Sequence, residues 1–403
     1  MKFKNKGRKI YKTKEKNYYG KSGAGKAFSV GLTILLIGGI GFIGYSVAEP
    51  LVNYNKKKGD NDPTSAASAV TTAGLTIQST EPFTDASGEI IPPHQSVTFE
   101  SYKAAALKES DLLNVEALEL AIGRLPTGQD IEYLEVPLKV SGGAVYYESG
   151  VFYAVQAKAY PEMLTLEQIV SVIEKAGYKP AAIISTFNDN ILPVVDGSCG
   201  YRTYNTDEQW IDNDSASGGK PWATPYSGMA VNYNADIVGE ISSAGFKKII
   251  CSDLVFPQFR QTDLEMLDPE LSSSARSMKM TAAANLFNDR ILKNGSSMFI
   301  EVSAADLVRG SKDILQPMLL NVNTVVLDID IDELSGGVYT ADTVYDFSGS
   351  VSEKAEKAVK MVEGDLSDFN IVIRLSGNSN SMLELIEARD ALMKKGYSSF
   401  VLG

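Results

Sequence analysis

Gly245 to Pro257 reads GFKKIICSDLVFP. The glycine closes a preceding helix, and two lysines lead into the apolar run Ile249, Ile250 and Cys251. Ser252 and Asp253 end that run ahead of Phe256-Pro257. A buried parallel strand that delivers a carboxylate to the C-terminal edge of its sheet has this pattern, and α/β folds place their chemistry at that edge. An aspartate at a strand end also caps helices and closes turns, so the neighbouring segments decide what Asp253 is for.

Outward from this strand the chain alternates. Expected strands are Ser96–Glu100, Glu132–Val140, Ala181–Phe187, Lys248–Ser252, Ser297–Val302, Thr324–Ile331, Asn370–Leu375 and Ser398–Leu402. Helix-favouring stretches lie between them: Leu112–Ile122, Leu164–Ala176, Ala235–Ala244, Met278–Lys293, Ala304–Leu319, Ser352–Glu363 and Ser381–Lys395. Ala176-Gly177, Ala244-Gly245, Asn294-Gly295 and Lys395-Gly396 read as glycine stops, each followed shortly by a strand. Eight strands alternating with helices predict an α/β fold, a (β/α)8 TIM barrel over residues 95–403, with an open doubly wound sheet as the alternative.

The preceding residues differ in kind. Residues 1–26 carry ten Lys or Arg against Glu15, a net of +9, and residues 27–48 are uncharged. Twenty-two such residues at about 1.5 Å each suffice to cross a bilayer core of about 30 Å. The expectation is a basic cytoplasmic tail (1–26), a single transmembrane helix (27–48) and a flexible linker (49–94), with the barrel domain outside the membrane. A cleaved signal peptide ending near Ala48 is the alternative. Removing the tail's +9 from the total of −12 leaves −21, so the rest of the chain offers no basic surface to nucleic acid. GKSGAGK at Gly20–Lys26 imitates a phosphate loop, but Ala27 stands where the Ser or Thr belongs and no strand precedes it. A single histidine, His94, makes histidine triads and histidine-rich metal clusters hard to build, and no cofactor or metal is expected.

Two insertions interrupt the alternation. Val145–Pro161 is aromatic, and Asn188–Asn234 holds Asp189, Tyr201, Tyr204, Trp210, Asp212, Trp222 and Tyr226, including both tryptophans of the chain. Long loops leaving the C-terminal face of a barrel bind ligands or close over them. The aromatics either stack on sugar rings or form the loop's own core. Cys199 and Cys251 fall on adjacent elements and could pair outside a membrane, which only geometry decides.

With Asn188–Pro257 in view, the chain resembles, over about residues 95–375, a family of glycoside hydrolases with a TIM-barrel domain, common in envelope proteins of Gram-positive bacteria. The family pattern has a strand ending F-x-D, two tryptophans with a following proline, Y-N before a helix, and G-F-D-E-I-x-x-D-Y-V-R-F-P. Here these are Phe187-Asn188-Asp189, Trp210 with Asp212, Trp222-Ala223-Thr224-Pro225, Tyr233-Asn234, and Gly245-Phe246 through Asp253 to Phe256-Pro257. VSAADLV at Val302–Val308 and LEVPLKVSGGAVYYES at Leu134–Ser149 extend the likeness. Three positions depart from the pattern. The arginine of R-F-P is missing, Ser185 lies near the place of another arginine, and Pro137 replaces the acid of V-x-D-x-K.

The resemblance implies a hydrolase of an envelope or extracellular polysaccharide, and the charge pattern of residues 1–48 implies its anchoring to the membrane through residues 27–48. A barrel that only binds glycan or scaffolds the envelope is the alternative. Glycoside hydrolysis takes two carboxyl groups across a sugar. Asp253 ends the fourth expected strand and Glu301 the fifth, so neighbouring strands bring both to one mouth as the catalytic pair. Asp189, Trp210, Asp212, Trp222, Tyr226 and Asp328 are the expected substrate-binding residues. Asp328, Asp330 and Asp332 alternate along LDIDID, which puts all three on one face of the sixth strand, toward a polar mouth, a cation or the helices.

Overall fold

A computed structural model of the chain describes residues 101–403 apart from 268, 273–275, 312–313, 316–318 and 341. It also describes an antiparallel pairing of Phe83–Thr84 with Ile90–Ile91. The chain divides into two units between residues 95 and 96. The expected cytoplasmic tail, transmembrane helix and first strand (Ser96–Glu100) lie outside the described residues, as does all of the linker except that short ribbon. Among the described residues no helix is long and apolar enough to cross a membrane.

The larger unit is a closed barrel of eight parallel strands. In chain order they are β1 (Lys103–Ala106), β2 (Tyr133–Lys139), β3 (Lys179–Ser185), β4 (Lys248–Ser252), β5 (Ser297–Ser303), β6 (Thr324–Asp330), β7 (Asn370–Ser376) and β8 (Phe400–Leu402). Each pairs with the next, and β8 closes on β1. The helices between them are α1 (Val115–Gly123), α2 (Leu166–Lys175), α3 (Gly228–Ser243), α4 (Arg276–Lys293), α5 (Ala304–Arg309), α6 (Val351–Val362) and α7 (Met382–Met393).

Local signals explain the boundaries. Thr165 with Gln168, Ser350 with Glu353 and Ser381 with Glu384 form capping boxes that start α2, α6 and α7. Gly177, Gly245, Gly295 and Gly396 all have positive φ, and at Gly245, with φ 115°, a side chain would be strained at the turn into β4. β4 spans the five residues its sequence predicts. Three expectations are corrected. α3 begins at Gly228, because the Ser227 hydroxyl accepts from Ala230 N, so the second insertion ends seven residues sooner. α5 stops at Arg309, where Gly310 turns left-handed at φ 99°. β6 stops at Asp330, whose carboxylate caps a short helix, Ile331–Ser335.

Strand alternation divides the core in two. Leu134, Val136 and Leu138 of β2, Ile249 and Cys251 of β4, and Val325, Leu327 and Ile329 of β6 pack outward in the core that includes the helices. Tyr133, Ala181, Ile250, Phe299, Val326, Val372 and Val401 fill the barrel interior. By the same period of two, Glu135, Glu301, Asp328 and Arg374 share that inner face, nearer the C-terminal ends of their strands.

Candidate active site at the barrel mouth

Asp253 follows β4 directly and adopts φ 54°. The left-handed region costs an L-residue about 1–2 kcal/mol, though aspartate enters it more readily than most. Such a backbone persists where surrounding contacts fix it. Here Ser141 Oγ and Ser185 Oγ each donate to Asp253 Oδ2 at 2.6 Å. Ser185, which lies near the place of an arginine in the sequence pattern, supplies a neutral donor. Thr186 N and Oγ1 both donate to Ser252 O, at 3.1 and 2.8 Å, which extends the β3–β4 pairing up to the turn.

Glu301 of β5 has a side chain 17% exposed, with Oε2 3.0 Å from Arg374 Nη2. Burial pushes its pKa up, the Arg374 charge opposes this, and the Asp253 charge adds to it. Arg374 Nη2 also lies 2.6 Å from Glu135 Oε2. Burial raises the Glu135 pKa as well, against the pull of Arg374. Burial works against the charge on Arg374, but Glu135, Glu301 and Asp328 outweigh it and keep the guanidinium protonated. Asp328 sits opposite Arg374 in the β6–β7 register. Burial, then the Glu301 charge, pushes its carboxyl up to about 7. Asp253, Glu301 and Asp328 are therefore brought together at one mouth, the last two as an electrostatically linked pair.

Of the other residues singled out from sequence, Asp189 and Trp210 are held inside the protein, Trp222 and Tyr226 are half-buried, and Asp212 is exposed. Lys139 Nζ lies 2.9 Å from Asp189 Oδ2, with both side chains fully buried. Asp189 Oδ1 accepts from Ile191 N and Leu192 N at 2.9 and 2.8 Å. Trp210 is 4% exposed and packs with Tyr201, Leu267 and Leu271 in a small core of the long loop. Trp222 is half-buried and donates through Nε1 to Asp212 Oδ2 at 3.0 Å, while Asp212 Oδ1 accepts from Lys220 N at 2.8 Å. Tyr226 is half-buried under Lys279, whose Nζ lies 5.4 Å from the ring centroid. Asp332 falls outside the strand face and accepts from Ser379 N at 3.0 Å. Cys199 and Cys251 are both buried free thiols. Among the described residues no three His, Cys, Asp or Glu side chains converge to hold a metal ion.

Sequence reasoning missed Glu135, Arg374, Ser141 and Ser185. Two of these left a signal. Arg374 is the lone charge of NIVIRLS, and Glu135 is the one charge of YLEVPLK ahead of its terminal Lys139, each at the parity of an inward-facing neighbour.

Solved structures with a similar chain path include a hypothetical protein from Ruminiclostridium thermocellum (TM-score 0.41, 16% identity, 49% of this chain and 96% of that one). Another is the PgaB (BpsB) glycoside hydrolase domain from Bordetella bronchiseptica (0.48, 11%, 75% and 94%). A third is a Flavobacterium johnsoniae chitobiase (0.44, 11%, 68% of this chain), of whose length the match spans only 38%. No curated protein matches the chain. Residues 116–307, which run from α1 into α5 and carry Glu135, Asp253 and Glu301, match the family model described as "Putative glycosyl hydrolase domain", the family the sequence resembles.

Proposed function

We propose that the barrel is a glycoside hydrolase in which Asp253 and Glu301 act on a glycosidic bond lying across the mouth. The observation that supports this reading is their proximity: they lie at the ends of neighbouring strands, and the charge of Asp253 raises the pKa of Glu301. Burial pushes the Glu301 carboxyl above its usual pKa, which suits the general acid. Asp253, oriented by two serine hydroxyls, suits the carboxylate that attacks the anomeric carbon or activates water. A polysaccharide of the envelope or the extracellular space is the proposed substrate class. The basic tail and uncharged run of residues 1–48 support anchoring to the membrane with the domain outside.

The test is hydrolysis of cell-wall and capsular glycans by the wild type and by Asp253→Asn. Reducing ends released at the same rate by both would overturn the assignment. The Arg374–Glu301 ion pair favours a second reading, a barrel that binds glycan without cutting it, since it occupies an oxygen of the proposed acid. Saturable glycan binding with no product over long incubation would select that reading.

A further inference from the structure

Glu135, Asp328 and Arg374 share the inner face with the proposed acid and have no part in a two-carboxylate reaction. Glu135 is fully buried, and both of its oxygens are occupied. Tyr102 OH donates to Oε1 at 3.0 Å and Arg374 Nη2 to Oε2 at 2.6 Å. No substrate reaches a carboxylate so enclosed. The same Arg374 Nη2 stands 3.0 Å from Glu301 Oε2, and its side chain is 11% exposed. Arg374 Nε and Asp328 Oδ1 are both buried without a hydrogen bond, and their residues face each other across β6 and β7. One guanidinium thus lies among three carboxyls, from β2, β5 and β6.

We propose that Glu135 is a positioning residue of this site, which fixes Arg374 beside Glu301 and opposite Asp328 and takes up part of the charge it presents to those two carboxyls. Glu301 faces Arg374 and Asp253. Asp328 faces Glu301, Arg374, Asp330 and Glu333, and Glu135 faces Arg374, Glu301 and Tyr102. Glu135 takes up much of the arginine's charge, so burial and mutual repulsion keep a proton on the Glu301–Asp328 pair. Its use rests on the hydrolase reading. The proton passes from Glu301 to the glycosidic oxygen as the C1–O bond breaks with its electron pair on that oxygen, C1 bonds to the Asp253 carboxylate or to water activated by it, and the water that ends as the C1 hydroxyl, or solvent, returns a proton to Glu301.

The experiment compares Glu135→Gln, Arg374→Met and Arg374→Lys. Glutamine keeps the shape and the acceptor for Tyr102 but removes a negative charge. The Arg374 charge then falls undivided on the pair, whose proton should leave about one pH unit lower. Arg374→Met removes the positive charge and should move the midpoint up, and Arg374→Lys should bring it back toward the wild-type value. The readout is the carbonyl-carbon NMR titration of Asp and Glu side-chain carboxyls, which needs no activity. Where hydrolysis is found, the basic limb of kcat/KM follows the same shifts. A merely structural role would lower stability in both charge-removing variants without opposite shifts. An unmoved or rising midpoint in Glu135→Gln overturns the proposal, even if Arg374→Met fails to fold. Opposite shifts in a protein that hydrolyses no glycan would instead refute the hydrolase reading and leave the positioning role standing.

Discussion

Lys139 Nζ and Asp189 Oδ2 form an ion pair 2.9 Å long with no exposed surface on either side chain. The ammonium also donates to Ser185 O at 2.7 Å and to Thr186 O at 3.2 Å, and the carboxylate accepts from two amides of the following turn. The pair therefore ties β2 to the start of the long loop just below the serine that orients Asp253. Removing one partner leaves a buried charge uncompensated, at about 3–5 kcal/mol. Asp189→Asn is expected to lower the unfolding free energy by about that amount, read from urea denaturation. A loss below about 1 kcal/mol would mean that the pair contributes little to holding the loop.

Asp253→Asn tests chemistry with little change in shape, because asparagine also tolerates the left-handed conformation that φ 54° imposes. The Ser141 and Ser185 hydroxyls can still donate to its carbonyl oxygen. The expected outcome is a thermal midpoint within about 3 °C of wild type, since a change under 1 kcal/mol moves it by only a few degrees. Hydrolysis should fall by at least about 100-fold. A large fall in midpoint would assign Asp253 to the fold instead.

The raised carboxyls give stability a pH dependence of definite sign. The folded pKa of Asp328, about 7, lies above its unfolded value near 3.9. Between these values the folded chain binds more protons than the unfolded one, so stability falls as pH rises from about 4 to about 7. Glu135 and Glu301 shift the same way. Asp196, Asp263, Glu353 and Glu384 shift down, and their contribution is lost only below about pH 4, outside that window. The urea midpoint should therefore be higher at pH 5 than at pH 8, and Asp328→Asn should flatten the difference. An equal slope in the variant would remove Asp328 as its source.

The barrel was legible because its signals are local. Glycines that must take positive φ end four helices where the sequence has them, and the apolar run of β4 coincides with the observed strand. β1 was not legible, since Lys103–Ala106 reads KAAA, and alanine favours helix over strand until a barrel wall is built around it. Asp253 and Glu301 could be named because strand ends define a mouth. Glu135 and Arg374 could not be matched to each other, because they are 239 residues apart in sequence and meet only when β7 and β2 curve round one interior. Asp189 shows the opposite limit. Its place in the sequence pattern is clear, while its buried partner Lys139 depends on a contact between β2 and the β3 loop.

The two tryptophans divide the long loop into a core and a rim. Trp210 lies against Tyr201 and Phe259, with ring centroids 5.9 and 5.1 Å away, and is almost fully buried. Trp222 is half-buried, and its indole nitrogen is turned to the exposed carboxylate of Asp212. The chain has no other tryptophan, so Trp222→Phe isolates the emission of Trp210 and Trp210→Phe that of Trp222. Trp210 emission should be blue-shifted and weakly quenched by acrylamide, while Trp222 emission should lie further to the red and quench several-fold more strongly. Only a half-exposed ring has a face free to stack on a sugar, so a bound glycan should protect Trp222 and leave Trp210 unchanged. Equal quenching of the two would contradict the division, and protection of Trp210 by glycan would place the sugar inside the loop core instead of at its rim.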